Sequence, residues 1–492
     1  MLLSNLTAPN KGETFVDRDI RGITDDSRLV KPGYLFIAVT GAQQDGRAFI
    51  KSAIERGATA VVMEPTLDPI ENFVPPDANV AILTVLDTRY AQSYIAARFY
   101  PRQPRMIAAV TGTSGKTSTA QFARELWQLD GRNAASIGTL GLVTAKESRY
   151  GSLTTPGALA LHQILDEIAG QGVTHLALEA SSHGIELHRL DHVKMRVAAF
   201  TNLSRDHLDF HADMEAYLAA KTKLFTELMP QGNTAVLNAD IPEFEALNRA
   251  CLAQGHRVIS YGAKGRDIKL LAHRPQPQGQ DLKLSVCGKV HNILLPIIGE
   301  FQIWNSLCAL GMAIGSGGDA DQTVAAMEKL SGVPGRLQKV GTSAQGGTVF
   351  VDYAHKPGAL ENVLTGLRPH VAAHPGARLH VVFGCGGNRD KGKRPLMGGI
   401  AQRLADNVIV TDDNPRREDP ATIRQEVLSG CTTSPHLREI GDRAQAIQTA
   451  IAALRDGDVL VIAGKGHENG QIIGDQVLPF DDADVARRVL TP

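Results

Sequence analysis

The stretch Thr111-Gly112-Thr113-Ser114-Gly115-Lys116-Thr117 packs two glycines, a lysine and several hydroxyls into seven residues. That set suits a phosphate-binding loop. Glycine lets the backbone turn its N–H groups toward an anion, and a following helix N-terminus adds positive potential. In the pattern G-x-x-x-x-G-K-[ST] the lysine reaches the β- and γ-phosphates and the hydroxyl binds Mg2+. Lys116 and Thr117 occupy those places, with Ser118 next to them, while Val110 stands where the pattern has its first glycine. A glycine-rich turn with a solvated lysine would share the glycines. It would not also place a strand before, a helix after and a Lys-Thr pair in register. The loop implies nucleotide binding and leaves the reaction open.

Other residues have plainer readings beside the chemical ones. Glu179 ends an apolar run, where a bare carboxylate is costly unless paired, although it could be an ordinary loop residue. His207 lies between Asp206 and Asp209, and a lone histidine is more often structural than a ligand. Lys221, in Ala219-Ala220-Lys221-Thr222-Lys223, reads as a solvated lysine on a helix. Near the C-terminus, Asp413-Asn414-Pro415-Arg416 is either a turn with a solvated basic pair or part of a pocket.

These residues must be positioned by regular elements. The strand Met106–Val110 leads into the phosphate loop, and Ser118–Leu129 has a helical pattern. Strands at Leu176–Glu179, Val197–Thr201 and Thr234–Asn238 alternate with helical stretches, which predicts a mostly parallel sheet. Short apolar runs from Ile268 to Leu295 predict a β-rich insertion. Upstream, Tyr34–Val39, Ala60–Met63 and Ala81–Val85 suit buried strands of a small α/β unit. Downstream, four strands (Thr348–Val351, Leu379–Phe383, Asn407–Thr411, Val459–Ala463) each run into a polar loop, the last being Gly464-Lys465-Gly466-His467-Glu468. Ligands of open α/β sheets bind outside the carboxyl ends of strands, so four such loops point to one shared site.

Pro101 to Arg105 and Gly332 to Arg336 are breaker clusters that cut the chain near residues 104 and 334. The expected fold class is α/β in three domains, with bounds 1–104, 105–334 and 335–492. A central P-loop-type, mostly parallel sheet is flanked by a small N-terminal α/β domain and a C-terminal Rossmann-like domain. Hydrophobic residues make up 43% of the 492, enough for a core in each. Lys plus Arg total 51 against 52 Asp plus Glu, which argues against a nucleic-acid or anionic-membrane surface. Five scattered cysteines without a CxxC pair fit reduced thiols, and neither a signal peptide nor a membrane span is visible. The expectation is a cytoplasmic monomer.

The variant T-G-T-x-G-K-[ST] resembles the Mur ligases and the related folylpolyglutamate synthetases. So do Glu179-Ala180-Ser181-Ser182-His183-Gly184, Asn202 to Asp209, Ala220-Lys221, Asn305, Gly335-Arg336, Asp352-Tyr353-Ala354-His355 and the Gly464–Glu468 loop, in the family's order. The resemblance covers essentially the whole chain. It implies ATP-dependent amide formation through an acyl phosphate, and domains that close around substrates. Lys116, Glu179, His207 and Lys221 would be catalytic. Thr117, Glu179, His207 and Lys221 would serve Mg2+, with Lys221 carbamylated by CO2 to N6-carboxylysine. Gly112 to Ser118, Asn305, Arg336 and Asp352 would bind ATP.

Within the family, the first segment and the Asp413–Arg416 string resemble the members that add meso-diaminopimelate to UDP-N-acetylmuramoyl-L-alanyl-D-glutamate. Asp25, Ser27, Ala42, Gln43, Gln44, Thr154, Thr155, Ser181, Leu187 and Arg189 would then hold the UDP-muramoyl dipeptide. Arg389, Asp413, Asn414, Pro415, Arg416, Gly464 and Glu468 would hold diaminopimelate. Arg416 would offer a donor fork to the distal carboxylate and Glu468 would pair an ammonium. Lysine-adding and folate-glutamylating ligases are the alternatives of the same chemistry. A nucleotide-binding regulator or transport ATPase is the alternative outside it, and it leaves the strand-end loops unexplained.

Overall fold

Each apolar run that ends in a polar loop folds as a strand, and the strands collect into sheets with their loops on one edge. The computed structural model describes residues 1–7, 16–41, 44–151, 153–276 and 279–491, so Ala42 and Gln43 lie outside the described residues. By contact the chain divides into two compact units, Met1–Tyr261 with Gly311–Gly318, and Gly262–Leu310 with Asp319–Pro492.

The first unit holds two sheets. Four parallel strands, Gly22–Thr24, Tyr34–Ile37, Ala58–Met63 and Ala81–Thr84, form the N-terminal one. The central sheet runs in the order Arg257–Gly262, Thr234–Asn238, Val197–Phe200, Met106–Thr111, His175–Glu179, Ala134–Gly138, all parallel. Two short antiparallel strands, Gly141–Val143 and Ser148–Arg149, follow Ala134–Gly138. Parallel strands are buried on both faces and therefore read as continuous apolar runs. Ile107, Leu176, Leu178 and Phe200 are accordingly core residues. Helix Thr88–Phe99 of the N-terminal part packs on helix Ala158–Gly170 of the central part.

The second unit contains an antiparallel meander, Ile268–Gln276, Gly279–Val286 and Lys289–Leu295, where the β-rich insertion is expected. Its other sheet has the order Gln338–Thr342, Thr348–Asp352, Val459–Ala463, Leu379–Phe383, Asn407–Val410, Leu437–Glu439, parallel apart from the first strand. The hairpin Gly470–Ile473 with Gln476–Pro479, absent from the sequence expectations, lies directly after the Gly464–Glu468 loop. Among the described residues no helix is long and apolar enough to cross a membrane.

Candidate active site

Strand Met106–Thr111 delivers the phosphate loop, and helix Lys116–Leu129 starts directly after Gly115, whose φ is 85°. A Cβ on Gly112, at φ +140°, would meet Thr201 Oγ1 at 2.0 Å, so this position needs glycine. The loop is tied to the next strand end. Thr113 N–H donates to Asn202 O and Ser114 N–H to Asn202 Oδ1, each at 2.9 Å, and Thr201 Oγ1 donates to Ser114 O at 2.7 Å. Those two amides are thereby engaged, while the first turn of the helix offers further N–H groups to an anion.

Glu179 is buried at the end of its strand. Its Oε2 accepts from Thr117 Oγ1 (3.1 Å) and Thr139 Oγ1 (3.2 Å), while its Oε1 accepts the Thr139 N–H (2.8 Å). A Cβ on Gly138 would sit 2.0 Å from Glu179 Oε1, so glycine there makes room for the carboxylate. Hydroxyl and carboxylate oxygens are hard donors of the kind Mg2+ selects.

Lys221 corrects the reading of a solvated helical lysine. On helix Met214–Lys223 it is 1% exposed, and its Nζ donates to Gly112 O at 2.9 Å. Lys116 Nζ donates to the same carbonyl at 2.8 Å, so two lysines converge on one oxygen. Burial first, and then the Lys116 charge, push the Lys221 amine down to about 6. Its Nζ also lies 4.3 Å from the Tyr217 ring centre. The helix continues as a π-helical turn, Leu224–Leu228, a feature common at functional sites.

His207 sits in the loop after Val197–Phe200 with φ 54°, left-handed and unfavourable for a residue with a Cβ. Asp206 Oδ1 accepts its N–H at 3.0 Å, and the ring packs on His183 at 5.0 Å between centroids. Beside Glu179, Thr155 Oγ1 donates to Glu179 O at 2.9 Å and lies 2.9 Å from Ser181 Oγ, while Arg189 Nη1 donates to Thr155 O at 3.0 Å. Thr154 Oγ1 lies 3.2 Å from Thr139 Oγ1. Leu187 caps helix Ser182–Glu186 close by in sequence. Thr154, Thr155, Ser181 and Arg189 are thus gathered around the Glu179 end of the strand. Asp25 and Ser27 lie instead just after strand Gly22–Thr24 of the N-terminal sheet, Ser27 opening the short helical turn Ser27–Leu29, and Asp25 Oδ2 accepts from Gln92 Nε2 at 2.7 Å. The Gln44 carbonyl accepts the Gly41 N–H at 3.0 Å.

In the second unit, Asn305, Arg336 and Asp352 form one connected patch. Asn305 Nδ2 donates to Gln302 Oε1 (2.9 Å), and Gln302 Nε2 donates to Arg336 O (3.2 Å). Asp352 accepts the Leu337 N–H (2.7 Å) and the Ala354 N–H (2.8 Å), and burial raises its carboxyl to about 6 against the pull of Arg336. The four strand-end loops of this sheet meet along one edge. Gly464 N–H donates to Asp352 O (3.1 Å), and Asn414 Nδ2 donates to Glu468 Oε2 (2.9 Å). A Cβ on Gly464 would press on Asp413 Oδ2 at 2.7 Å. Pro415 O lies where a Cβ on Gly387 would be, at 1.9 Å. Arg389 is exposed and Arg416 half-buried.

Three family models tile this architecture. Residues 19–100 match the Mur ligase family, catalytic domain, 110–313 the Mur ligase middle domain, and 335–466 the Mur ligase, glutamate ligase domain. The UDP-N-acetylmuramoyl-L-alanyl-D-glutamate–2,6-diaminopimelate ligase of Bradyrhizobium diazoefficiens is 49% identical over 96% of this chain and 95% of its own. The chain belongs to the Mur ligase family. The ligase of the same name from Mesorhizobium japonicum is 48% identical over 98% and 97% of the two chains. A solved structure bearing that name superposes with a TM-score of 0.71 at 35% identity, covering 96% and 94%. The protein is accordingly an ATP-dependent ligase with the three-domain α/β fold of that family.

Sequence reasoning missed two residues that hold candidate site residues in place. Thr139 grips Glu179 from the end of strand Ala134–Gly138, and the Gly138-Thr139 pair at a strand end was the available signal. Lys465 is fully buried, donating to Asn414 Oδ1 (3.1 Å) and Glu468 Oε2 (3.3 Å). Its position between two glycines, at the end of an apolar strand, was the sign of confinement.

Proposed function

We propose that this ligase joins meso-diaminopimelate to the D-glutamate carboxylate of UDP-N-acetylmuramoyl-L-alanyl-D-glutamate, with ATP giving ADP and phosphate, in peptidoglycan precursor synthesis. The names of the relatives support the substrates, and the grouping of Asp413, Asn414, Arg416 and Glu468 supports the amino acid. The observation that carries the chemistry is the convergence of Lys116, Lys221, Thr117 and Glu179 around the phosphate loop. On this reading the bounds 1–104, 105–334 and 335–492 separate the UDP-substrate, ATP and amino-acid domains.

A carboxylate is a poor electrophile, so its oxygen first takes the γ-phosphoryl group and ADP leaves. The diaminopimelate amine then attacks the acyl phosphate, and the tetrahedral intermediate expels phosphate. Two anions must be brought together, which makes positioned cations the main catalytic requirement. Lys116 supplies one at the triphosphate. Thr117 and Glu179 would hold Mg2+, which when bound neutralises charge on the transferring phosphoryl group. No cluster of three or more His, Cys, Asp or Glu able to hold a metal occurs among the described residues. An ion there would be held by one carboxylate, a hydroxyl and substrate phosphates. His207 would serve a second Mg2+. Asn305 and Asp352 would face the adenosine, with Arg336 nearer the phosphates.

Lys221 carries the carbamate in this proposal. Its depressed basicity leaves a neutral amine, the form that attacks CO2. An N–C bond forms as one C–O π pair of CO2 moves onto oxygen, a proton is released, and a buried neutral amine becomes an anion.

Phosphate release with ATP, Mg2+ and the UDP-muramoyl dipeptide, adding diaminopimelate, lysine or neither, tests the reading. Release should require diaminopimelate and be weak with lysine. Turnover indifferent to the amino acid sinks the proposed function, and equal use of lysine sinks the specificity.

A further inference from the structure

The two cations proposed for the amino acid sit on neighbouring strand-end loops, Arg389 after Leu379–Phe383 and Arg416 after Asn407–Val410. The loops are joined by backbone and side-chain hydrogen bonds. Gly387 N–H donates to Asn414 O (2.9 Å), Arg417 N–H to Asn388 Oδ1 (3.0 Å) and Arg416 Nη1 to Gly387 O (3.0 Å). Asn388 and Arg416 have φ of 51° and 52°, which is costly with a Cβ, so the surroundings must hold both loops in place.

Arg394, on helix Lys393–Leu404, is placed to do this. Its side chain is 0% exposed. Nη2 donates to Gly386 O at 3.0 Å and to Glu418 Oε1 at 3.1 Å, while Nη1 donates to Glu418 Oε2 at 2.9 Å and to Glu426. Glu418, two residues beyond Arg416, also accepts the Asn388 N–H. One buried fork therefore grips both loops, through a carbonyl of the first and a carboxylate of the second that reaches back to the first. Only a planar guanidinium fixes such a set in one geometry; an ammonium does not. A buried ion pair is a weak source of stability, so its value here lies in the spacing that it enforces.

We propose that Arg394 and Glu418 are positioning residues that set the separation of Arg389 and Arg416, and through it the preference for an amino acid with a distal carboxylate. The proposal rests on the diaminopimelate reading above. Misplacing a recognition group by about 1 Å costs on the order of 100-fold, so small slippage of one loop against the other is enough.

Glu418→Gln keeps the shape of the side chain and removes its charge. In the full-length protein, measured by phosphate release, its KM for diaminopimelate should rise about 10-fold or more. The KM values for ATP and the UDP-muramoyl dipeptide should stay close to the parent's, and the preference for diaminopimelate over lysine should narrow. Arg394→Lys makes the same prediction from the other side of the pair, and it decides the matter if Glu418→Gln does not fold. An unchanged diaminopimelate KM in a folded variant overturns the proposal. So does an equal rise in all three KM values, or failure of both variants to fold, because the pair would then be holding the domain together rather than the pocket. Turnover by the parent enzyme that ignores the amino acid would instead defeat the underlying reading.

Discussion

A side chain's chemistry is set by its surroundings, and Lys221 shows this most directly. Within its helix it looks like any solvated lysine. Only its placement against Gly112, 109 residues earlier, buries it and sets it beside Lys116. On the carbamate proposal, Lys221→Ala should lower turnover about 100-fold or more while leaving the protein folded, because the proposed anion supporting the phosphoryl site is lost. A small carboxylate such as acetate should restore part of it by occupying the space, and mass spectrometry of the parent should show one added CO2. Full activity in the variant would remove Lys221 from the chemistry. Thr139 makes a second case. Its hydroxyl donates to Glu179 Oε2, a charge-assisted bond worth about 1.5–3 kcal/mol. Thr139→Val keeps the backbone donor and loses that bond, so kcat should fall roughly 10-fold and the unfolding midpoint should drop by a few degrees. A kcat equal to the parent's would show that Glu179 is held by its other partners alone.

At the scale of elements, the strand–loop–helix unit at residues 106–129 couples a left-handed glycine to a phosphate cradle. Gly112→Ala would drive a Cβ into Thr201 Oγ1, and φ +140° forbids an easy escape. The variant should lose turnover about 100-fold because the loop shifts by a fraction of an ångström or more. Parent-like ATP kinetics would mean that the loop tolerates the shift. This unit was legible in the sequence because an apolar, β-branched run, a glycine loop and a helical pattern follow one another. Ala134–Gly138 was not, since Ala-Ala-Ser-Ile-Gly carries little strand preference and is held by pairing with His175–Glu179. Missing that strand meant missing Thr139. The Gly470–Ile473 hairpin was missed likewise, although it fixes the Asp413–Arg416 loop through Ile472 N–H donating to Asn414 Oδ1 at 2.9 Å. Long-range pairing decides both elements, and a local pattern cannot carry it.

At the scale of the whole molecule, both units bury neutral histidines, and the shared direction of their shifts makes stability depend on pH. Burial lowers His162 and His175 in the first unit and His467 in the second to about 4. His162 is fully buried and its Nε2 meets Asp191 O at 3.1 Å, so the ring is held neutral. An unfolded chain would protonate these rings near 6.5. Between about 6.5 and 4 the unfolded state therefore binds more protons than the native state, and stability rises with pH across that window. The contribution is complete above about 6.5 and is lost as pH falls toward 4. For His162, lowered from 6.5 to about 4, about 1.4 kcal/mol per pH unit bounds the loss at roughly 3.5 kcal/mol. Scanning calorimetry from pH 7.5 down to 5 should show the unfolding midpoint falling, before most carboxylates begin to titrate. His162→Gln, which cannot be protonated and keeps a donor for Asp191 O, should flatten the part of that slope due to this ring. Asp352, raised to about 6, works in the opposite sense over part of this range, so the decisive readout is the difference between parent and variant: an unchanged slope in His162→Gln would mean that this ring is hydrated or paired in solution.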